Sequence, residues 1–165
     1  MDSFGALHPQ IVHTPIVMLI FSAFFAIIGR LFDRDWLRKT SVIMLVFGFR
    51  GAFAAVRSGT IVHETPEKKQ GVPERDIDAH ADMARYTLYA SGAALVAIGV
   101  ASRLGGGAAS AVSALALLLQ LAAAVLVGVT GYRGGNLVYD HGAGVRIGGQ
   151  LIHDTPHPAE DDEKK

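Results

Sequence analysis

Cysteine is absent from this chain of 165 residues. Its absence excludes disulfide bonds, thiolate metal sites, covalent haem attachment through Cys-x-x-Cys-His and iron–sulfur clusters held by cysteine. Two hydrolase signals are also lacking, because neither Gly-x-Ser-x-Gly nor His-Glu-x-x-His occurs in the sequence. A soluble hydrolase is therefore a poor interpretation, and any bound metal has to use ligands other than thiolate.

The chain also lacks an excess of charge of either sign. Its 15 Lys and Arg residues balance 15 Asp and Glu residues, so the formal net charge is zero. A nucleic-acid-binding domain usually carries a basic excess. We therefore expect no nucleic-acid partner, and the length alone predicts a single domain.

Apolar sequence is abundant and makes up 50% of the residues. It falls into four charge-poor blocks, each long enough to cross a bilayer. The predicted spans lie near residues 11–30, 39–58, 80–102 and 108–131. We predict an all-α integral membrane protein in contact with the lipid bilayer. Residues 1–150 are expected to form one domain, an up-down four-helix bundle with a glycine-rich C-terminal segment. Residues 151–165 are expected to form a polar acidic tail.

Prolines leave two positions open for the start of the first span. Thr14 followed by Pro15 fits an N-cap with proline at the first helical position. Alternatively, Pro9 starts the helix and Pro15 kinks it.

All seven histidines fall at one end of this predicted bundle. Spans 1 and 3 begin where spans 2 and 4 finish, and we name this end side A and the other end side B. The seven are His8, His13, His63, His80, His141, His153 and His157. One explanation is a shared site. The other is that side A simply carries most of the polar sequence.

Basic residues near the span ends predict the orientation. The side B turns hold Arg30, Arg34, Arg38, Lys39 and Arg103. Because short basic loops stay in the cytoplasm, we place side B there. The protein is then expected in a bacterial inner membrane as a multi-pass protein with both termini on the periplasmic side.

Arg50 lies inside the second block. A charge at membrane depth is costly, so we expect Arg50 to point into the bundle and pair with an anionic group. The alternative is an arginine whose long stem lets its head reach the nearer interface. The same block offers small residues for close helix contact, namely Gly48, Gly51, Ala52 and Ala55.

The stretch Gly131–Val145 sets His141 among five glycines. Glycine permits positive φ and close backbone approach. Arg133 lies eight residues before the histidine. The composition is typical of a segment that folds around a bound molecule at the end of a helix. A flexible loop with a solvated histidine is the simpler alternative.

Three motifs together resemble the bacterial DUF2231 family of predicted membrane proteins. They are Leu7-His8-Pro9 with Val12-His13-Thr14-Pro15 before span 1, His80-Ala81 before span 3, and Gly134-Gly135-Asn136-Leu137-Val138-Tyr139-Asp140-His141-Gly142-Ala143-Gly144-Val145 after span 4. The resemblance covers about residues 5–147. Thr14 and Arg50 depart from the usual family pattern. The resemblance implies a four-span membrane domain without an established activity. Fusions of some members to Rieske-type domains point toward respiratory electron transfer.

Three functions are compatible with these residues. The first is electron transfer by a b-type haem protein, coupled to quinone or a respiratory complex, with haem iron held by two neutral imidazoles. The candidate metal ligands are His8, His13, His80 and His141. The candidate cofactor-binding residues are Arg50, Arg133, Gly134, Gly135, Tyr139 and Gly142. The arginines would pair with haem propionates, and the glycines would let the backbone close over the macrocycle.

The second function is a zinc or copper site without haem, in which the same imidazoles are oriented by Asp140 or Asp82. The third is a structural or assembly subunit of a membrane complex without a cofactor, and a homo-oligomer is possible. If a cofactor is bound, we expect His141 to contact it and His13 and His80 to lie nearby.

Overall fold

The computed structural model describes residues 3–63, 72–147 and 150–151. Two short helical turns, α1 (Ser3–Ala6) and α2 (His8–Ile11), precede the four long helices. These are α3 (His13–Leu31), α4 (Asp35–His63), α5 (Glu74–Ala101) and α6 (Gly106–Tyr139). All four are long and apolar enough to cross a membrane. The predicted all-α membrane bundle is confirmed, although two-residue strands β1 (Arg146–Ile147) and β2 (Gln150–Leu151) form a small antiparallel pair that the sequence did not indicate.

The four long helices form a closed ring of neighbours. α3 packs on α4, α4 on α5, α5 on α6, and α6 on α3. Contacts between helix ends fix their directions. His8 meets Ser58 at one end, whereas Arg30 donates a hydrogen bond to the Ser113 carbonyl at the other. The helices therefore run up and down. Among the described residues, His8, His13, His80 and His141 lie at the side A end, as predicted.

Each of the first two prolines opens a helix. Pro9 lies in the first turn of α2, and Pro15 lies in the first turn of α3. Proline is tolerated there because the first helical N–H groups have no intrahelical acceptor. α3 begins at His13, with Val12 as its N-cap and no side-chain capping bond, so the alternative in which Thr14 is the N-cap is wrong. Pro9 in the first turn of α2 agrees with the other alternative for the start of the helix.

Glycine brings α3 and α4 into close contact. A Cβ atom added to Gly48 would lie 2.6 Å from Cδ2 of Leu19, and one added to Gly51 would lie 3.0 Å from Cδ of Pro15. Ala52 and Ala55 are buried beside them. The predicted small-residue face of α4 is confirmed, and it sets which side of α4 turns outward.

An apolar layer in the middle of the bundle separates two buried polar layers. Leu19, Leu45, Ala94 and Val127 form the apolar layer. Toward side A lie the buried side chains of Ser58, Thr87 and Ser91, and toward side B lie those of Ser22, Ser41 and Gln120. No enclosed side-chain nitrogen or oxygen in the described residues lacks a hydrogen-bond partner. Polar groups are tolerated inside this bundle because the protein supplies a hydrogen-bond partner to each side-chain nitrogen or oxygen that it encloses fully.

Arg50 does not point into the bundle, so that prediction is wrong. Its side chain is exposed, as are those of Ile43, Phe47 and Phe53 on the same helix. With 3.6 residues per turn, the inward glycine and alanine face leaves this stripe on the outside of α4. The exposed face is continued by Arg57, seven residues or about 10 Å further along.

The glycine-rich stretch is helical over much of its length, which also differs from the prediction. α6 continues through Gly131, Gly134 and Gly135 to Tyr139. Its 34 residues span about 50 Å, well beyond a hydrocarbon core of about 30 Å. The real break comes at Gly142, where φ is +61° and the N–H donates back to the Val138 carbonyl. The acidic tail expected over residues 151–165 lies, after Leu151, outside the described residues.

The topology predicts opposite labelling of two single cysteines. Arg103 in the turn before α6 and Tyr139 at the end of α6 are both exposed. Because the natural chain has no cysteine, Arg103→Cys and Tyr139→Cys each introduce one reactive thiol. A membrane-impermeant maleimide should label them from opposite faces of sealed vesicles of uniform orientation. Labelling of both from one face would contradict the up-down arrangement.

Candidate functional site

Two imidazole rings meet at the side A end of the bundle. The ring centres of His8 and His80 lie 6.4 Å apart, and the ring planes are nearly perpendicular at 88°. His8 belongs to α2 and His80 to α5, so the pair joins two parts of the chain far apart in sequence. This pair is the centre of the candidate site.

The hydrogen bonds around His8 fix its tautomer. Nδ1 of His8 lies 2.9 Å from Oγ of Ser58. Ser58 donates its own hydroxyl proton to the Ala55 carbonyl over 3.0 Å, so the hydroxyl oxygen accepts from His8. Nδ1 of His8 therefore carries a proton, and in the neutral ring the lone pair is at Nε2.

The same argument applies to His80. Its Nδ1 lies 3.0 Å from the main-chain carbonyl of Thr130, which can only accept. Nδ1 therefore donates, and Nε2 of the neutral ring carries the lone pair. A histidine that donates from Nδ1 to a carbonyl or hydroxyl is held in the tautomer that coordinates metals through Nε2.

Two glycines make room for these rings. A Cβ atom on Gly59 of α4 would lie 3.1 Å from Cε1 of His8, and one on Gly134 of α6 would lie 3.0 Å from Cε1 of His80. Gly134 thus permits the close approach of an imidazole of the protein, whereas its predicted contact with a cofactor stays a prediction. Gly135, next to it, faces only Tyr139 of its own helix.

The N-terminal turns carry His8 to this position. α1 and α2 pack on α4, and α2 also contacts α3. Val12 between α2 and α3 also has helical backbone angles, so the helical path runs on from α2 into α3. His8 lies seven residues, or about two turns, before the buried Pro15 and therefore shares the face that packs against α4.

His141 approaches the site through a carboxylate. Its Nε2 lies 3.2 Å from Oδ2 of Asp76 in the first turn of α5. Asp76 and His80 are four residues apart, so they are neighbours on one face of the helix, with Cβ atoms about 5–6 Å apart. Asp76 thus links His141 to the helix that carries His80. That His141 contacts a cofactor stays a prediction.

His13 lies on a different surface. It is exposed, whereas α3 buries Pro15, Leu19, Ser22 and Ala26. At 100° per residue, position 13 is about 200° away from position 15. Among the described residues, the ring that contacts His80 is that of His8. The expected neighbourhood of His13 and His80 is thus replaced by one of His8 and His80.

The other predicted cofactor-binding residues divide into two groups. Arg133 lies close enough to His80 for an electrostatic interaction between their side chains. Tyr139 is 89% exposed at the end of α6, and Gly142 provides the turn that ends this helix. Arg133 therefore remains with the site, whereas Tyr139 and Gly142, like Arg50, are not gathered around the two rings.

A metal site with many protein ligands is not formed here. In residues 3–63, 72–147 and 150–151, no group of three or more His, Asp or Glu side chains is placed to hold a metal ion. The arrangement instead brings together two imidazoles, each of which donates from Nδ1 and has its lone pair at Nε2 in the neutral form.

Sequence reasoning missed several residues that shape the site. Ser58, Gly59 and Thr130 hold or admit the two rings, and Asp76 binds His141. Ser58-Gly59 stands at the end of an apolar block, next to a histidine-rich side, and this was a usable signal. The contribution of Thr130 could not be predicted, because every residue has a main-chain carbonyl and the residue type does not show which one will bind a histidine.

A comparison with protein families gives one match. The profile of DUF2231, described as a predicted membrane protein family, matches residues 5–146. The chain belongs to the DUF2231 family. Neither the curated proteins nor the solved structures include a significant match. With its four apolar helices, the chain is a multi-pass membrane protein, and the matched region contains all four.

The close fit of His80 against α6 predicts unequal effects of two neighbouring substitutions. In Gly134→Ala the new methyl group would lie 3.0 Å from Cε1 of His80, whereas in Gly135→Ala it would lie 3.9 Å from Tyr139. Both gain about 1 kcal/mol of helix propensity, but crowding costs Gly134→Ala about 1–3 kcal/mol. Thermal unfolding in detergent should show Gly134→Ala as the less stable variant. Equal melting temperatures would argue against the ring position.

Proposed function

We propose that the protein binds one b-type haem between His8 and His80 and transfers electrons in the membrane. The observation that carries the proposal is the pair of rings with both Nδ1 atoms engaged and ring centres 6.4 Å apart. A metal lies about 2 Å from each imidazole nitrogen, so two rings on opposite sides of one metal have centres about 6 Å apart. The separation therefore suits two ligands on opposite sides of an iron.

The surroundings also suit haem. Arg133 lies near His80 and would pair with a propionate. The turn that carries His8 packs on α4 and α3, so a planar group between His8 and His80 would be held between this turn and α5. Haem held by two imidazoles supplies reversible one-electron chemistry at its iron. The protein holds the two rings in the tautomer that this requires.

Haem is a better match than zinc or copper alone. Structural zinc usually takes four protein ligands, and catalytic zinc takes three. The described residues bring two imidazoles together and no group of three. Haem supplies four ligands of its own, so two histidines complete the coordination of its iron.

The proposed setting is a bacterial inner membrane, with side B in the cytoplasm. The basic residues of the side B turns support this orientation through the positive-inside rule. The proposed haem would then lie near the periplasmic surface. Quinone or a subunit of a respiratory complex would be the redox partner. Labelling Arg103→Cys and Tyr139→Cys in intact cells distinguishes the two orientations.

Histidine substitutions test the haem proposal. The full chain, produced with an adequate haem supply and purified in detergent, should show a Soret band and an α band that change on reduction. His8→Ala and His80→Ala each remove one ligand and should lose most of this spectrum. His13→Ala is the matched control, because His13 is exposed on the outer face of α3, and it should keep the spectrum.

Two outcomes would contradict the proposal. A wild-type protein that stays colourless after reconstitution with haem would remove its basis. A His8→Ala variant with the wild-type spectrum would show that His8 is not a ligand. Stoichiometric zinc or copper in a colourless protein would support the second interpretation of the same imidazoles.

A second candidate, a subunit that assembles a membrane complex, is favoured by Arg50. Arg50 is exposed within an apolar stripe of α4, and along this helix it lies about 10 Å deeper in the membrane than Arg57. An arginine that faces lipid at depth is costly unless a partner supplies an anionic or polar group. We propose that a neighbouring transmembrane helix provides a carboxylate to Arg50. Alternatively, the guanidinium reaches the lipid head groups.

Arg50→Leu tests this candidate in native membranes. If a partner carboxylate binds Arg50, the variant should reduce the amount of the chain's complex on blue native electrophoresis by several-fold. Arg57→Leu on the same face, nearer the membrane surface, is the control and should leave the complex intact. An Arg50→Leu chain that migrates like the wild type would mean that Arg50 only reaches the interface.

A further inference from the structure

A cavity of about 540 Å³ lies at the side B end, opposite the histidine site. Residues from all four long helices line it, including Arg30 of α3, Ser41 of α4, Ser102 of α5 and Gln120 of α6. The cavity therefore lies on the bundle axis. It has no role in the proposed haem site, which is separated from it by the apolar layer around Leu19.

The floor of the cavity is a pre-arranged polar cluster. Nε2 of Gln120 donates to Oγ of Ser22 and to Oγ of Ser41, both over 3.0 Å. Ser22 uses its own proton for the Ser41 carbonyl, which fixes the orientation of the Gln120 amide. All three side chains are at most 2% exposed. The side-chain oxygen of Gln120 accepts no hydrogen bond from a described residue, and it is available to a molecule in the cavity.

Arg30 provides the positive charge at the mouth. Its two terminal nitrogens donate to the Ala26 carbonyl over 3.1 Å and to the Ser113 carbonyl over 3.2 Å. These bonds hold the guanidinium in place and use two of its five N–H groups. Arg38, which also lines the cavity, forms ion pairs with Asp33 and Asp35. Among the described residues no carboxylate pairs with Arg30, so of the two arginines that line the cavity it is the one without an ion pair.

We infer that this cavity binds a small organic anion from the aqueous phase on side B. Its carboxylate or phosphate would bind Arg30, since a fixed guanidinium suits a planar or tetrahedral oxyanion. A hydroxyl group of the same molecule would reach the Gln120 oxygen at the floor. At about 30 Å³ per water molecule, the volume exceeds what a single inorganic ion would fill.

The lining also bears on the source of the anion. A phospholipid head group offers the same oxyanion, but its acyl chains need a lateral opening toward the bilayer. Residues of all four helices surround the cavity, which favours entry from the aqueous side. The ligand class is therefore a short hydroxylated acid or phosphate ester.

The sole tryptophan of the chain provides a reporter for the test. Trp36 is exposed and directly follows Asp35, which lines the cavity.

The full chain in phosphatidylcholine nanodiscs is titrated with malate and with glycerol phosphate at constant ionic strength. Binding is read from Trp36 fluorescence and from titration calorimetry. A saturable response is expected for the wild type and for Arg103→Gln, which removes an exposed cation on the same side. For Arg30→Gln, affinity should fall at least about tenfold.

A second variant keeps the test decisive if Arg30→Gln folds poorly. Ala101→Leu places a larger side chain in the cavity wall and leaves Arg30 in place, and it too should lose binding. Absence of saturable binding by both methods, or equal binding by wild type and Ala101→Leu, overturns the inference. A response to phosphatidylglycerol nanodiscs only, lost in Arg30→Gln, overturns the aqueous source and assigns the oxyanion site to a lipid head group.

Discussion

Every polar group inside this bundle has to find its partner within the protein, because the bilayer core offers no water. The hydroxyls of Thr87 and Ser91 donate to carbonyls one turn earlier in their own helix. Gln120 links two serines from α3 and α4. The same requirement orients the imidazoles of His8 and His80, since Nδ1 of each ring donates to an oxygen of the protein. The orientation of the candidate ligands thus follows from the cost of an unsatisfied polar group.

The fold also requires close approach between helices, and glycine permits it both within the bundle and at the histidine site. Gly48 and Gly51 let α3 lie against α4, and Gly59 and Gly134 admit the two imidazole rings. In α6, glycine therefore serves the packing of a helix rather than the freedom of a loop. Each such glycine costs the helix about 1 kcal/mol relative to alanine, and the contacts that it permits offset this cost.

Hydropathy was sufficient to predict the four helices, their up-down order and the shared end of the described histidines. These features depend on the length of apolar blocks, which the sequence displays directly. The outward direction of Arg50 could not be predicted, because it depends on which face of α4 packs, and that was decided by contacts of Gly48 with Leu19. The choice of His8 over His13, in contrast, could have been made from helical periodicity. His8 lies seven residues before the buried Pro15 and shares its face, whereas His13 lies about 200° away from it.

The distance between the two ends limits what the bundle can do. Between the histidine site and the side B cavity lies the layer of Leu19, Leu45, Ala94 and Val127, which contains no titratable group. Along α4, Ser58 at the site and Ser41 at the cavity are 17 residues apart, or about 25 Å. Protons need a chain of polar groups or water to cross such a layer, and these side chains provide none. The electron transfer proposed at side A and the anion binding proposed at side B are therefore expected to be separate events. Any coupling between them has to come from a change in helix packing, since α4, α5 and α6 each contribute residues to both ends.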